Sequence, residues 1–135
     1  LVHFVGDLHQ PLHIGRYEDR GANRIYVKWF GRNSNLHRVW DSEMINSHNM
    51  SYSELALNLP NPDFLISAEE ANDFKRGDVL NWVDEVHEYT NKIYGDVSID
   101  DKLGYEYQYK NFGTVKDLLL IGGIRLAKIL NYLFD

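Results

Sequence analysis

Apolar and polar positions alternate with two periods along this chain, and each change of period marks an element. Leu1 to Leu8 suits the end of a helix, which Gln10-Pro11 should stop, because proline lacks an amide donor and drives the preceding residue out of the helical region. A charged loop containing Gly15 and Gly21 follows. From Asn23 to Phe30 the period is two, with Ile25, Val27 and Trp29 on one face and Arg24, Tyr26 and Lys28 on the other, which predicts a strand. Gly31 to Asn35 reads as a turn, and Asn35 can cap a helix carrying Leu36, Val39, Trp40 and Met44. Asn58 to Asp63, with two prolines, reads as a loop, and Ser67-Ala68-Glu69-Glu70 has the spacing of a capping box that starts a short helix. Asp78 can cap a longer helix to about Tyr94, where Val79, Trp82, Val83, Val86, Tyr89 and Ile93 recur at helical spacing and Gly95 ends it. Thr114 begins a last helix that is apolar around much of its circumference, a pattern that places it centrally in a core. The expected class is mainly α, with a short β element around residues 23–30.

Composition narrows what such a fold can do. The 135 residues make about one domain, and the abrupt apolar start, with no Met and no signal segment, reads as a chain cut from something longer, a single domain or the C-terminal part of one. The longest aliphatic run near the end, Leu118–Ile121, is closed by Gly122-Gly123, far short of the roughly 18 residues a spanning helix needs, so no membrane role is expected. Fourteen basic against 20 acidic residues give a net charge of −6, which excludes a basic protein that coats nucleic acid. The absence of cysteine removes disulfides, thiol nucleophiles and thiolate metal sites. Any metal must therefore sit on nitrogen and oxygen.

The histidines offer such ligands. His3, His9 and His13 crowd the first turns around Asp7, and His3 and Asp7 are four apart, hence on one helix face. His37 and Asp41 repeat that spacing on a second predicted helix. One such pair alone is usually a surface ion pair; two pairs plus His13 suggest a cluster. Imidazole and carboxylate are what zinc accepts when thiolate is missing, and carboxylates can bridge several ions. Multi-metal centres lower the pKa of a bound water and stabilise charge during displacement at phosphorus, so phosphate-ester hydrolysis is the leading chemistry. The His-Glu-x-x-His signature of metalloproteases does not occur. His9, two residues beyond Asp7, points off the His3–Asp7 face and is expected to support a ligand or to be structural; His48 is expected to be solvated, and His87 to be partly buried or at the surface.

The string His3-Phe4-Val5-Gly6-Asp7-Leu8-His9-Gln10-Pro11-Leu12-His13 resembles the central signature of the S1/P1 nuclease family, H-x-x-G-D-x-H-Q-P-L-H. Asn35-Leu36-His37-Arg38-Val39-Trp40-Asp41 is similar to the family's N-L-H-x-x-W-D, and Gly21-Ala22-Asn23 stands where the family usually has G-G-N. Gly122 to Asn131 resembles its A-G-x-R-L-A-x-x-L-N helix. The resemblance implies the mainly helical phospholipase C/P1 nuclease fold, with three zinc ions in a cleft. It implies hydrolysis of single-stranded DNA or RNA to 5′-phosphorylated nucleotides, often with removal of 3′-phosphates, in a secreted or periplasmic setting. By position His3 would ligate one zinc, Asp7 would bridge it to a second, and His13, His37 and Asp41 would hold the third. The family's other ligands lie in its N-terminal half, so the resemblance implies that residues 1–135 are the C-terminal part of a single nuclease-like domain, with the bridged pair half built and the isolated polypeptide expected to be inactive. A phospholipase C-type phosphoesterase and a non-catalytic metal-binding fragment are the alternatives.

Overall fold

Helix α1 (Val2–Leu8) opens the chain in the computed structural model, which describes residues 1–59 and 67–134. It ends where Pro11 demands, and Pro11–Ile14 form one 3-10 turn whose Leu12 amide is capped by the Gln10 side chain at 2.6 Å. Strand β1 (Tyr26–Trp29) lies within the expected stretch, with Val27 and Trp29 buried and Tyr26 and Lys28 exposed. The expected turn over residues 31–35 is a correction: the turn is only Phe30 and Gly31, at φ +47° and +80°, and β2 (Arg32–Asn35) then pairs antiparallel with β1. Two left-handed residues match the twist of the flanking strands. Hydropathy could not reveal β2, because an edge strand that is half-buried at most needs no apolar alternation.

Asn35 caps the next helix as expected, its side-chain oxygen accepting from the Arg38 amide at 2.8 Å. Helix α2 (Leu36–Arg38), a π turn (Val39–Glu43) and α3 (Met44–Ser47) follow without a break. Helix α4 (Tyr52–Leu57), which the apolar pattern does not mark, has its own capping box between Ser51 and Glu54. The predicted box at Ser67 is present: its hydroxyl accepts from the Glu70 amide at 3.1 Å and starts α5 (Ala68–Phe74). Most of the loop expected over Asn58 to Asp63 lies outside the described residues.

Asp78 accepts from the Leu80 and Asn81 amides at 2.9 and 3.1 Å, starting α6 (Val79–Asp96). Its last turn is anchored by buried Ile93 and Tyr94, so Gly95, which costs about 1 kcal/mol in a helix, does not end it. Strand β3 (Lys102–Leu103) adds to β1 in parallel, giving the order β2-β1-β3. Helix α7 (Tyr105–Phe134) begins at Tyr105, not at Thr114, because Asn111 and Phe112 already face the core and Gly113 is carried through. Tyr107 accepts from the Trp40 indole N–H at 2.9 Å, and burial pushes its hydroxyl pKa up to about 12.

Leu12, Leu36, Val39 and Met44 are fully buried beneath the sheet and against Phe112 and Val115; each such side chain contributes about 1.5–3 kcal/mol. This core fixes the ends of α1 and α2, where the histidines sit. Helix α7 buries Val115, Leu118 and Ile124, but Leu119 and Leu133 are 41% and 54% exposed, so it is less enclosed than its apolar pattern suggests. No helix among the described residues is long and apolar enough to cross a membrane.

Candidate metal centre

The five residues singled out from the sequence are linked in a row of contacts, and three of them come together as a trio. On α1, His3 Nε2 is 3.0 Å from Asp7 Oδ2, one turn apart as their spacing requires. The other Asp7 oxygen lies 3.3 Å from His13 Nδ1, carried there by the 3-10 turn, and His13 Nε2 is 3.3 Å from Asp41 Oδ1. The His13 and His37 rings are stacked, 5.2 Å between centroids and 17° apart. Among the described residues, His13, His37 and Asp41 are the one group of three whose potential ligand atoms all lie within 4.8 Å of one another. Asp7 stands beside this trio, while the His3 side chain is 91% exposed at the outer end. The π turn contains Asp41 but not His37, so the spacing of the pair is not that of a plain α-helix; sequence reasoning had no signal for it.

A backbone contact that no motif announces orients His37. Its Nδ1 donates to the Gly21 carbonyl at 2.7 Å, which assigns the proton to Nδ1 and leaves Nε2 as the lone-pair nitrogen. The segment supplying that carbonyl is held tightly. Gly21 and Ala22 both adopt left-handed φ, +62° and +63°, which costs the alanine about 1–2 kcal/mol. Asp19 offsets it, accepting from the Ala22 amide at 2.7 Å and from the Tyr94 hydroxyl at 2.8 Å. Burial, then the neighbouring Asp19, raises the Tyr94 pKa to about 12.

His9 is buried and lies off the cluster. Its Nδ1 donates to the Val5 carbonyl at 2.8 Å and its Nε2 accepts from Arg125 at 3.1 Å, while Arg125 also pairs with Glu85 and donates to the Phe74 carbonyl at 2.9 Å. Burial chiefly, then the Arg125 charge, lowers the His9 pKa, so the ring is kept neutral and ties α1 to α7. A Cβ at Gly122 would meet His9 Cγ at 3.1 Å, which explains the glycine there. His48 is not simply solvated, since it stacks on Phe112 at 4.1 Å. His87 is exposed on α6, as expected.

Two imidazoles with a carboxylate match the nitrogen and oxygen donors of a catalytic zinc site, which takes three protein ligands and leaves one position open. Gly21 carries a test of this geometry. A Cβ there would stand 2.2 Å from the Leu12 carbonyl oxygen and 3.5 Å from His37 Nδ1, on a left-handed backbone. Gly21→Ala is expected to cost about 2–4 kcal/mol, read as a lower urea midpoint at unchanged slope. A loss below about 0.5 kcal/mol would show that the loop is not packed this way.

Cavities border the cluster on two sides. One of about 1000 Å³ includes Asp7, His13 and His37 in its wall and opens along residues 14–24. The second, about 360 Å³, reaches Asp7, His13 and Asp41 from the apolar side between α1 and α7.

Comparison with known proteins gives the same direction. A sequence model of the family described as S1/P1 Nuclease matches residues 1–135. Endonuclease 4 of Arabidopsis thaliana is 34% identical over 153 residues, covering 100% of this chain and 49% of that protein. Endonuclease 5 of the same plant is 36% identical over 150 residues, covering 100% and 50%. Nuclease S1 of Aspergillus oryzae is 48% identical over 44 residues, 33% of this chain and 15% of its own. The chain thus spans about half the length of the plant relatives it matches.

Proposed function

The chain belongs to the S1/P1 nuclease family, and from that premise we propose that the whole protein is a zinc-dependent nuclease acting on single-stranded DNA or RNA, outside the cytoplasm. The observation that carries this reading is the trio of His13, His37 and Asp41, with its donor atoms within 4.8 Å of one another and His37 locked by the Gly21 carbonyl. These three residues would hold one zinc, and His3 and Asp7 would contribute to a neighbouring pair. Zinc bound there supplies a Lewis acid and a water acidic enough to attack phosphorus near neutral pH.

The chain's own groups do the rest. The Gly21 carbonyl fixes the His37 imidazole through Nδ1, so it presents Nε2 without searching among tautomers, and Asp7 lies 3.3 Å from His13 Nδ1, where it can orient that ring. Asp7 and Asp41 both line the smaller cavity, where their charge would be compensated by bound metal. The phosphodiester enters by the larger cavity, and the products carry 5′-phosphates. Removal of a 3′-phosphate from nucleotides fits the same chemistry, since it too is displacement at phosphorus.

The test is product release by the metal-loaded whole protein. Single-stranded DNA is expected to yield 5′-phosphorylated nucleotides, and phosphatidylcholine no phosphocholine. Phosphocholine release without nucleotide release would move the protein to the phospholipase C-type chemistry. Bound zinc with neither product would leave a metal-binding protein without catalysis.

A further inference from the structure

The larger cavity has a feature the metal trio does not use. Arg16, Arg20 and Arg24 all line it, together with Asp7, His13 and His37. In a chain of net charge −6 this is a local concentration of positive charge next to the cluster. None of the three guanidiniums is ion-paired among the described residues. Arg16 lies over the Tyr94 ring at 4.3 Å, Arg24 donates to the Glu18 carbonyl at 2.8 Å, and the Arg20 side chain has no hydrogen bond among the described residues. Of the nearby acids, Asp19 is turned inward to the Ala22 amide and the Tyr94 hydroxyl, and Glu18 remains on the cavity wall.

The segment that bears the arginines is ordered in advance. Gly21 N–H donates to the Arg16 carbonyl at 2.9 Å, Arg20 N–H to Tyr17 at 3.1 Å, Arg24 N–H to Asp19 at 3.1 Å, and Arg16 N–H to the Tyr94 hydroxyl at 3.1 Å. Three arginines on such a frame, with unspent donors facing one cavity, suit phosphate oxygens, which guanidinium binds in a fork. The backbone that carries them has little entropy left to lose on binding.

We propose that Arg16, Arg20 and Arg24 form a phosphate subsite that grips the backbone of a single strand beside the nucleotide being cleaved. The inference rests on the nuclease reading and adds to it a preference for strands over the shortest substrates. A strand lying there places one phosphate at the trio and neighbouring phosphates on the arginines. The subsite acts on binding and leaves the chemical step alone.

The experiment compares the metal-loaded whole protein with Arg20→Gln and with Arg20→Gln/Arg24→Gln, on a long single-stranded oligodeoxynucleotide and on a dinucleotide. For the double variant KM on the long strand is expected to rise about tenfold with kcat retained, the rise being confined to the long strand. The slope of log binding against log salt should become shallower by about 0.7 per contact removed. Arg32→Gln, on β2 and outside this cavity, serves as the control and should change neither. Because the Arg20 side chain makes no hydrogen bond or ion pair among the described residues, the single variant keeps the test valid if the double variant unfolds. Unchanged KM and salt slope while hydrolysis proceeds would overturn the subsite and leave the nuclease reading standing. Should the unsubstituted protein cleave no strand, the nuclease reading fails. Strand binding by fluorescence anisotropy then decides the subsite: weakened binding in the variants supports it, and equal binding overturns it.

Discussion

Asp7→Ala is expected to abolish hydrolysis of single-stranded DNA, lowering kcat by on the order of a thousandfold or more. Asp7 touches both halves of the centre, with His3 Nε2 at 3.0 Å from one oxygen and His13 Nδ1 at 3.3 Å from the other. It can therefore serve as a metal ligand or as the group that orients the His13 ring. Asp7→Asn separates these roles, because the amide oxygen can still accept from His13 Nδ1 while the negative charge is gone. The bridging role predicts that Asp7→Asn stays as inactive as Asp7→Ala. Recovery of activity in Asp7→Asn would reduce Asp7 to an orienting group, and appreciable activity in Asp7→Ala would remove it from the centre altogether. Circular dichroism should show both variants folded, since the Asp7 side chain is part-exposed and outside the core.

His37→Ala is the second large effect. It deletes one member of the only trio among the described residues with donor atoms within 4.8 Å. Loss of a partner that merely orients a ligand costs about 10–100-fold in metal affinity, so loss of the ligand itself should cost more than about 100-fold. The bound zinc, read by inductively coupled plasma mass spectrometry after dialysis, should fall by one equivalent, with hydrolysis lost alongside. Full zinc content in His37→Ala would place the metal elsewhere. The weaker counterpart is Gly21→Ala, which leaves His37 present but moves its acceptor and should lower affinity less.

The route from sequence to this centre differed from residue to residue. Spacing was sufficient for His3 and Asp7, because a short helix ended by Pro11 turns a four-residue interval directly into contact. The joining of that pair to His37 and Asp41 through His13 depended on a tertiary fold: the repeated spacing suggested a cluster, and the family likeness divided its members among metal sites. Capping was equally legible, since Asn35, Ser67 and Asp78 bond amides within three residues of themselves. Strand β2 was hidden because an edge strand can be wholly polar, and the start of α7 because Gly113 looks like a stop to local rules. The Gly21 carbonyl, the π turn and the clamp of His9 by Arg125 left no trace in the pattern. A backbone acceptor has no residue type, and the His9–Arg125 contact joins positions 9 and 125. The negative net charge pointed away from nucleic acid, yet it averages over a surface on which three arginines share one cavity.

Anomalous diffraction at the zinc absorption edge, on crystals of the zinc-loaded whole protein, addresses the central claim most directly. The account predicts a peak about 2.0–2.2 Å from one nitrogen each of His13 and His37 and from a carboxylate oxygen of Asp41. A protein that binds zinc but shows no peak within reach of these three side chains would contradict it.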